Sequence, residues 1–172
     1  MSDHLPDLHL TDRHAQSVAL SELLASGPAV LYFLRTASCP ACLAHARRLV
    51  AAHSAGLVRP QVVLVTPGGA GEAAAVERKV AARTEGALPE GVLVLASGDA
   101  HQAAGFGRTL MLQHSGTLVV DPQRTIRYAL TAALPHRSYD ESDLLAALAS
   151  LPAPEPSARA ARRSLQPWPG CC

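Results

Sequence analysis

The residues best suited to chemistry are two cysteines, Cys39 and Cys42, in the run Ser38-Cys39-Pro40-Ala41-Cys42. A thiol reacts as its thiolate, and unpaired backbone N–H groups at a helix N-terminus lower a cysteine pKa from roughly 8.5 to about 3.5 to 7.5. Cys42 lies one helical turn beyond Cys39 and within its reach. Cys39 is therefore predicted to attack, and Cys42 to resolve the product by closing an intramolecular disulfide.

The sequence around these cysteines predicts a buried strand followed by a helix. Residues 29–34 (AVLYFL) form an apolar run after the breaker Gly27-Pro28, as in a strand buried on both faces. Pro40 suits the first turn of a helix, which would end at Gly56. Its apolar positions recur at helical spacing: Leu43, Ala46, Leu49 and Val50. The cysteines are thus expected where a strand passes into a helix.

The rest of the chain predicts alternating strands and helices. Strands are predicted over residues 61–66 and 92–96, and helices over 72–84 and from Asp99 to residue 104. Residues 117–120 and 125–130 flank a turn and predict a β-hairpin. A last helix is predicted from about Asp140, with Ser138 and Glu141 at capping-box spacing. This order predicts an α/β fold, with a central mixed β-sheet flanked by helices, in one domain over residues 1–151.

Residues 152–172 differ sharply in composition from the preceding domain. They are rich in Pro, Ala and Arg, lack an apolar period, and end in Cys171-Cys172. We expect a disordered tail. The terminal cysteines could instead serve as mobile resolving thiols or as lipid acceptors.

Charge and hydropathy exclude several classes of function. The 15 basic and 14 acidic residues are interspersed and give a formal net charge of +1, which argues against a nucleic-acid partner. The first twenty residues lack the pattern of a secretory signal, and no stretch approaches the roughly 18 apolar residues of a membrane span. A cytoplasmic protein without a membrane partner is expected.

In a reducing compartment a CxxC pair is better interpreted as redox-active or metal-binding than as a structural disulfide. Two ordinary buried cysteines are the simplest alternative. Zinc would need a second ligand pair, for which only Cys171-Cys172 and scattered histidines are available. The setting between strand and helix favours redox chemistry, with no metal and no cofactor.

Residues 33–42 (FLRTASCPAC) resemble the active-site segment F-x-R-G-x-W-C-P-x-C of peroxiredoxin-like proteins of the redoxin (AhpC/TSA) group. The matching residues are Phe33, Arg35, Cys39, Pro40 and Cys42. Residues 99–107 (DAHQAAGFG) and 117–121 (TLVVD) are similar to two further family segments, and the resemblance covers about residues 5 to 150. It implies a thioredoxin-like fold, Cys39 as the nucleophile, and a thiol reductant such as thioredoxin or a low-molecular-weight thiol.

The sequence departs from the peroxiredoxin pattern in the peroxide pocket. Thr36 occupies the position of the family's threonine, whereas Tyr32 stands where its proline would be. The loop before residues 117–120 has neither the arginine of peroxiredoxins nor the proline of thioredoxins. Arg35 or Arg108 could supply the missing positive charge, and the fold would bring His114 beside the CxxC motif. His45 is predicted to lie on a different helical face from Cys39.

The predicted function is that of a thiol-disulfide oxidoreductase that cycles Cys39 and Cys42 between dithiol and disulfide. The main alternative is a thiol peroxidase that reduces hydrogen peroxide or organic hydroperoxides. A zinc-binding or interaction module without enzymatic activity is a lesser alternative.

Overall fold

Strands and helices alternate along the chain in the computed structural model, which describes residues 3–84, 86–98, 100–109 and 112–151. The strands are β1 (His9–Thr11), β2 (Ser17–Ala19), β3 (Ala29–Phe33), β4 (Gln61–Thr66), β5 (Val92–Ala96), β6 (Arg108–Thr109), β7 (Leu112–Gln113), β8 (Ser115–Val120) and β9 (Ile126–Ala132). The helices are α1 (Leu20–Leu24), α2 (Pro40–Ser54), α3 (Ala70–Ala81), α4 (Ala100–Ala103) and α5 (Glu141–Ala149), with a 3-10 turn at Pro135–Arg137.

The main sheet is mixed and has seven strands in the order β2-β1-β5-β4-β3-β8-β9. The central strands β3, β4 and β5 pair in parallel, whereas β8 pairs antiparallel with both β3 and β9. Strands β6 and β7 form a separate two-stranded ribbon. The predicted α/β fold with a thioredoxin-like mixed sheet is confirmed.

Helices cover both faces of this sheet, as alternation along β3 requires. Val30 and Tyr32 point into a core formed with α2, α3 and α5. Leu31 and Phe33 point into a second core formed with α1, the end of α4 and the N-terminal segment. All five residues of β3 are buried, which agrees with the unbroken apolar run that predicted this strand.

The sequence did not predict β1, β2, α1 or the β6–β7 ribbon. These elements span only two to five residues each, so none presents a full hydrophobic period. In β1 a single buried residue, Leu10, anchors the strand to the core. Local sequence thus carries too little signal for them.

The last helix starts near Asp140 as predicted, but one predicted cap and one predicted helix start needed correction. The capping box of Ser138 and Glu141 was wrong, because Asp140 is the N-cap of α5 and its carboxylate accepts the Asp143 N–H at 3.0 Å. Helix α3 begins at Ala70 rather than residue 72, since the Glu72 carboxylate accepts the Gly69 N–H at 2.9 Å. The cap predicted at Asp99 and the tail over 152–172 lie outside the described residues.

No helix within the described ranges combines the length and the apolar character that crossing a bilayer requires. The longest is α2, with 15 residues.

Candidate active site

The loop between β3 and α2 places Cys39 at the start of the helix. The Cys39 N–H donates to the Thr36 carbonyl at 3.3 Å and closes a turn. Cys39 is the N-cap of α2 with extended backbone angles, and Pro40 follows at the first helical position. Proline is suited to this position because its missing N–H would have no helical partner. The predicted passage from strand to helix is confirmed.

The two thiols are both free, and their surroundings differ. The Cys42 N–H donates to the Cys39 sulfur at 3.3 Å, so an amide at the helix N-terminus faces the first thiol. Cys39 is partly exposed between the exposed residues Ser38 and Pro40, whereas Cys42 is fully buried. A substrate therefore reaches Cys39 first, with Cys42 behind it.

Burial, and then the hydrogen bond with Cys39, raise the pKa of the Cys42 thiol to about 11. Two contacts act in the opposite direction: the Arg35 N–H donates to the Cys42 sulfur at 3.5 Å, and the Tyr32 hydroxyl lowers the same pKa. At neutral pH Cys42 is consequently held as a thiol. Of the two thiols, Cys39 is the one that is open to solvent.

Both arginines proposed from the sequence bind the segment before β8. The Arg35 guanidinium donates from Nε to the Gln113 carbonyl at 3.1 Å and from Nη2 to the Ala133 carbonyl at 2.6 Å. The exposed Arg108 donates from Nε to the Gln113 side-chain oxygen at 2.9 Å. Arg35 therefore fixes this segment against the loop that carries Cys39.

The other two supporting candidates, Thr36 and His114, make contacts away from the thiols. The Thr36 hydroxyl lies 3.4 Å from the Ser38 hydroxyl and accepts the Ser38 N–H at 3.4 Å. His114 follows Gln113 and so lies in the segment that Arg35 binds, and its placement beside the CxxC motif stays a prediction. Its Nε2 lies 2.8 Å from the Thr109 hydroxyl, and the ring contacts the β6–β7 ribbon.

The structure adds two groups to the site that sequence reasoning did not identify. Lys79 on α3 donates from Nζ to the Ala37 carbonyl at 2.9 Å and so holds the loop before Cys39. The Tyr32 hydroxyl lies 3.3 Å from His45 Nδ1 and 3.1 Å from the Ser138 hydroxyl. Alternation along β3 could have placed Tyr32 on the face of α2, but no local signal marks Lys79.

A buried histidine supports the end of β3 on the opposite face of the sheet. His101 donates from Nε2 to the Leu34 carbonyl at 3.0 Å, and its Nδ1 accepts from the Ser97 hydroxyl. Its ring packs edge-on against Phe33 at 5.0 Å. Burial lowers the pKa of His101 to about 4, so the imidazole is neutral near pH 7. His101 thereby holds the backbone just before the active-site loop.

In the described part of the chain, no group of three or more His, Cys, Asp or Glu side chains is arranged to hold a metal ion.

A CxxC motif at the start of a helix, following a central strand of a thioredoxin-like sheet, is the arrangement of thiol redox proteins. The sequence model of the AhpC/TSA family matches residues 1–129. The chain belongs to the AhpC/TSA family, and it is a thiol-dependent oxidoreductase of the peroxiredoxin-like kind. No curated protein sequence matches it significantly.

Solved structures of peroxiredoxins share the fold. The peroxidoxin BcpB from Mycobacterium tuberculosis has a TM-score of 0.65 at 22% identity, over 88% of this chain and 97% of that one. Reduced Prx3 from Vibrio vulnificus in complex with hydrogen peroxide has a TM-score of 0.68 at 19% identity, over 86% and 99% of the two chains. A thiol peroxidase from Chromobacterium violaceum has a TM-score of 0.61 at 16% identity, over 86% and 84%.

Proposed function

We propose that this protein is a thiol-disulfide oxidoreductase that cycles Cys39 and Cys42 between dithiol and disulfide. The observation that carries the proposal is the arrangement of a partly exposed Cys39, bonded to the Cys42 N–H at 3.3 Å, in front of a buried Cys42 thiol. The first sulfur is open to a substrate, and the second is placed to attack the product. We expect the protein to work in a reducing compartment such as the cytoplasm.

The cycle has two displacement steps. The Cys39 thiolate attacks one sulfur of a substrate disulfide, forms a mixed disulfide, and releases the other substrate sulfur as a thiolate. The Cys42 sulfur then attacks Cys39, forms the Cys39–Cys42 disulfide, and releases the second substrate thiolate. Two electrons pass from the protein to the substrate. A thiol reductant, such as thioredoxin or a low-molecular-weight thiol, would return them.

Peroxide reduction is the second candidate, and the family match favours it to the same degree. In this reaction the Cys39 thiolate attacks a peroxide oxygen, which gives a sulfenic acid and an alcohol or water, and Cys42 then displaces water. A peroxidase must also stabilise the leaving oxygen, and a preorganised donor is worth about 2.7 to 4 kcal/mol. The Thr36 hydroxyl and the Arg35 guanidinium, the natural donors, bond to other protein groups instead.

A direct comparison of rates tests the choice between these substrates. We expect Cys39 to react with hydrogen peroxide about as fast as a small, exposed thiol that is ionised to the same extent. With a disulfide substrate, Cys39 should react faster than this small thiol. The measurement is stopped-flow kinetics of the reduced protein with each oxidant. If Cys39 reacted with hydrogen peroxide orders of magnitude faster than this small thiol does, the protein would be a peroxidase.

The dithiol cycle itself predicts a Cys39–Cys42 disulfide in the oxidised protein. The one-turn spacing at the start of α2 places the two cysteines within reach of a disulfide bond. Peptide mapping of the full chain after mild oxidation should recover the two cysteines in one linked fragment. A link from Cys39 to Cys171 or Cys172 would move the resolving role to the tail.

A further inference from the structure

A buried polar group lies behind Cys42, and the cycle described above does not use it. Tyr32 is fully buried on the face of β3 that packs against α2. Its hydroxyl lies 3.1 Å from the Ser138 hydroxyl and 3.3 Å from His45 Nδ1. Cys42 lies one helical turn before His45 on α2, and Tyr32 and Cys42 are both fully buried in the same core, so the Tyr32 hydroxyl that contacts His45 lies near the Cys42 thiol. This hydroxyl also lowers the pKa of Cys42. One tyrosine therefore connects the second cysteine to two polar groups.

The directions of these hydrogen bonds follow from the Ser138 hydroxyl. It donates to the Pro135 carbonyl at 2.6 Å, so its proton is used and its oxygen accepts from Tyr32. With the Tyr32 proton directed at Ser138, His45 Nδ1 is the donor to the Tyr32 oxygen. Burial, and then the charge of Cys42, raise the pKa of Tyr32, so its hydroxyl stays protonated.

We propose that Tyr32 is a further catalytic group: its hydroxyl turns from Ser138 to the Cys42 sulfur when Cys42 ionises, and stabilises the thiolate that resolves the mixed disulfide. This inference rests on the proposed dithiol cycle. A hydrogen bond to a charged group is stronger than one between neutral groups, so the hydroxyl gains by turning.

The step that benefits is resolution, because the groups around Cys42 change once Cys39 has reacted. In the reduced protein the hydrogen bond with Cys39 and its charge both raise the pKa of Cys42. A Cys39 bonded to substrate sulfur no longer has that charge. Burial is then the effect that still opposes ionisation of Cys42, whereas the Arg35 N–H and the Tyr32 hydroxyl favour it. Of these two donors, the hydroxyl is the one that a side-chain truncation removes.

The chemistry of the step is balanced without a further reactant. Cys42 loses its proton to solvent, and its thiolate attacks the Cys39 sulfur. The bond between Cys39 and the substrate sulfur breaks, and the electron pair leaves with the substrate, which takes up a proton from solvent. The dithiol is oxidised by two electrons, and the substrate disulfide is reduced by two.

Several titratable groups face this network and shape its pH response. Cys39 on α2 faces Cys42 directly. His45 faces the Tyr32 hydroxyl, and its own pKa is lowered by burial and by the positive charges of Arg48 on α2 and His136 in the 3-10 turn. The ring of Tyr139 packs on His45 at 5.5 Å. A neutral His45 keeps the direction of its bond to Tyr32 unchanged around neutral pH.

The test separates the two displacement steps with an aromatic disulfide, dithionitrobenzoate. Attack by Cys39 releases one coloured thiolate, and resolution by Cys42 releases the second. For Tyr32→Phe we expect an unchanged first phase and a second phase about tenfold slower near neutral pH, with its pH profile shifted upward by about one unit. The measurement is stopped-flow absorbance across a pH series on the full chain.

Tyr128→Phe is the matched control, because the Tyr128 hydroxyl is buried and makes no hydrogen bond within the described ranges. Both phases should keep their wild-type pH profiles in this variant. Ser138→Ala removes the acceptor that competes for the Tyr32 proton, so its second phase should shift to lower pH. An upward shift there would contradict the inference.

The inference and the proposed function fail in different ways. A second phase of Tyr32→Phe with the wild-type pH profile would overturn the role of Tyr32 and leave the dithiol cycle standing. A wild-type protein that shows only the first phase would overturn resolution by Cys42 itself.

Discussion

Replacing Cys39 by serine should reduce disulfide exchange by on the order of 10³-fold or more, whatever the substrate. A serine hydroxyl at the N-cap of α2 still accepts the Cys42 N–H but stays protonated near neutral pH, so it offers no comparable nucleophile. The fold should be unaffected, since serine is a favoured N-cap residue and the site is partly exposed. Steady-state reduction of a disulfide substrate measures the loss.

The matched variant Cys42→Ser should behave differently. Cys39 remains intact and attacks, but no thiol resolves the product, so a mixed disulfide accumulates at one substrate group per chain. Both variants keep Cys171 and Cys172, so intact-mass analysis after treatment with glutathione disulfide should find one more bound glutathionyl group in Cys42→Ser than in Cys39→Ser. If Cys42→Ser turned over at the wild-type rate, a thiol other than Cys42 would be resolving.

The sequence specified the reactive pair because its signals are local. The apolar run of β3, the proline after Cys39 and the helical period of α2 lie within about one strand and one helix of each other. Each signal agrees with the others, so the N-terminal position of Cys39 followed without knowledge of the fold. The family resemblance depended on the same short segment.

The surroundings of the pair could not be predicted in the same way, because they come from distant parts of the chain. The Arg35 guanidinium bonds to carbonyls 78 and 98 residues away, and no local pattern in the sequence indicates these partners. The Tyr32 hydroxyl meets Ser138 across 106 residues. Sequence pattern gives the face of a strand on which a residue lies, but not the polar group that it meets there.

His45 illustrates the same limit within one helix. Helical spacing predicts a different face from that of Cys39, and this prediction argued against a role as a base. Helical spacing did not show that His45 would contact Tyr32, which lies on β3. The contact at 3.3 Å exists because α2 packs across β3.

Lowering the pH from about 6.5 to about 4 should decrease the free energy of unfolding by up to about 3 kcal/mol through His101. Burial lowers the pKa of this imidazole from 6.5 to about 4 in the folded protein. The unfolded chain therefore binds the proton first as the pH falls. Stability is full above the unfolded pKa and declines through this window. Urea unfolding at a series of pH values measures the slope.

The variant His101→Leu should be less stable at neutral pH, because the Leu34 carbonyl and the Ser97 hydroxyl lose a partner, but its stability should depend less on pH. His45→Gln is the comparison, since the pKa of His45 is also lowered and contributes a slope of the same sign. The carboxyl groups of Asp7, Glu72 and Asp121 have lowered pKa values, so they affect stability mainly below this pH range.

If His101→Leu kept the full wild-type dependence of stability on pH, the imidazole would not be the group that titrates. Because His101 holds the Leu34 carbonyl next to the active-site loop, protonation should loosen the site before the whole domain unfolds.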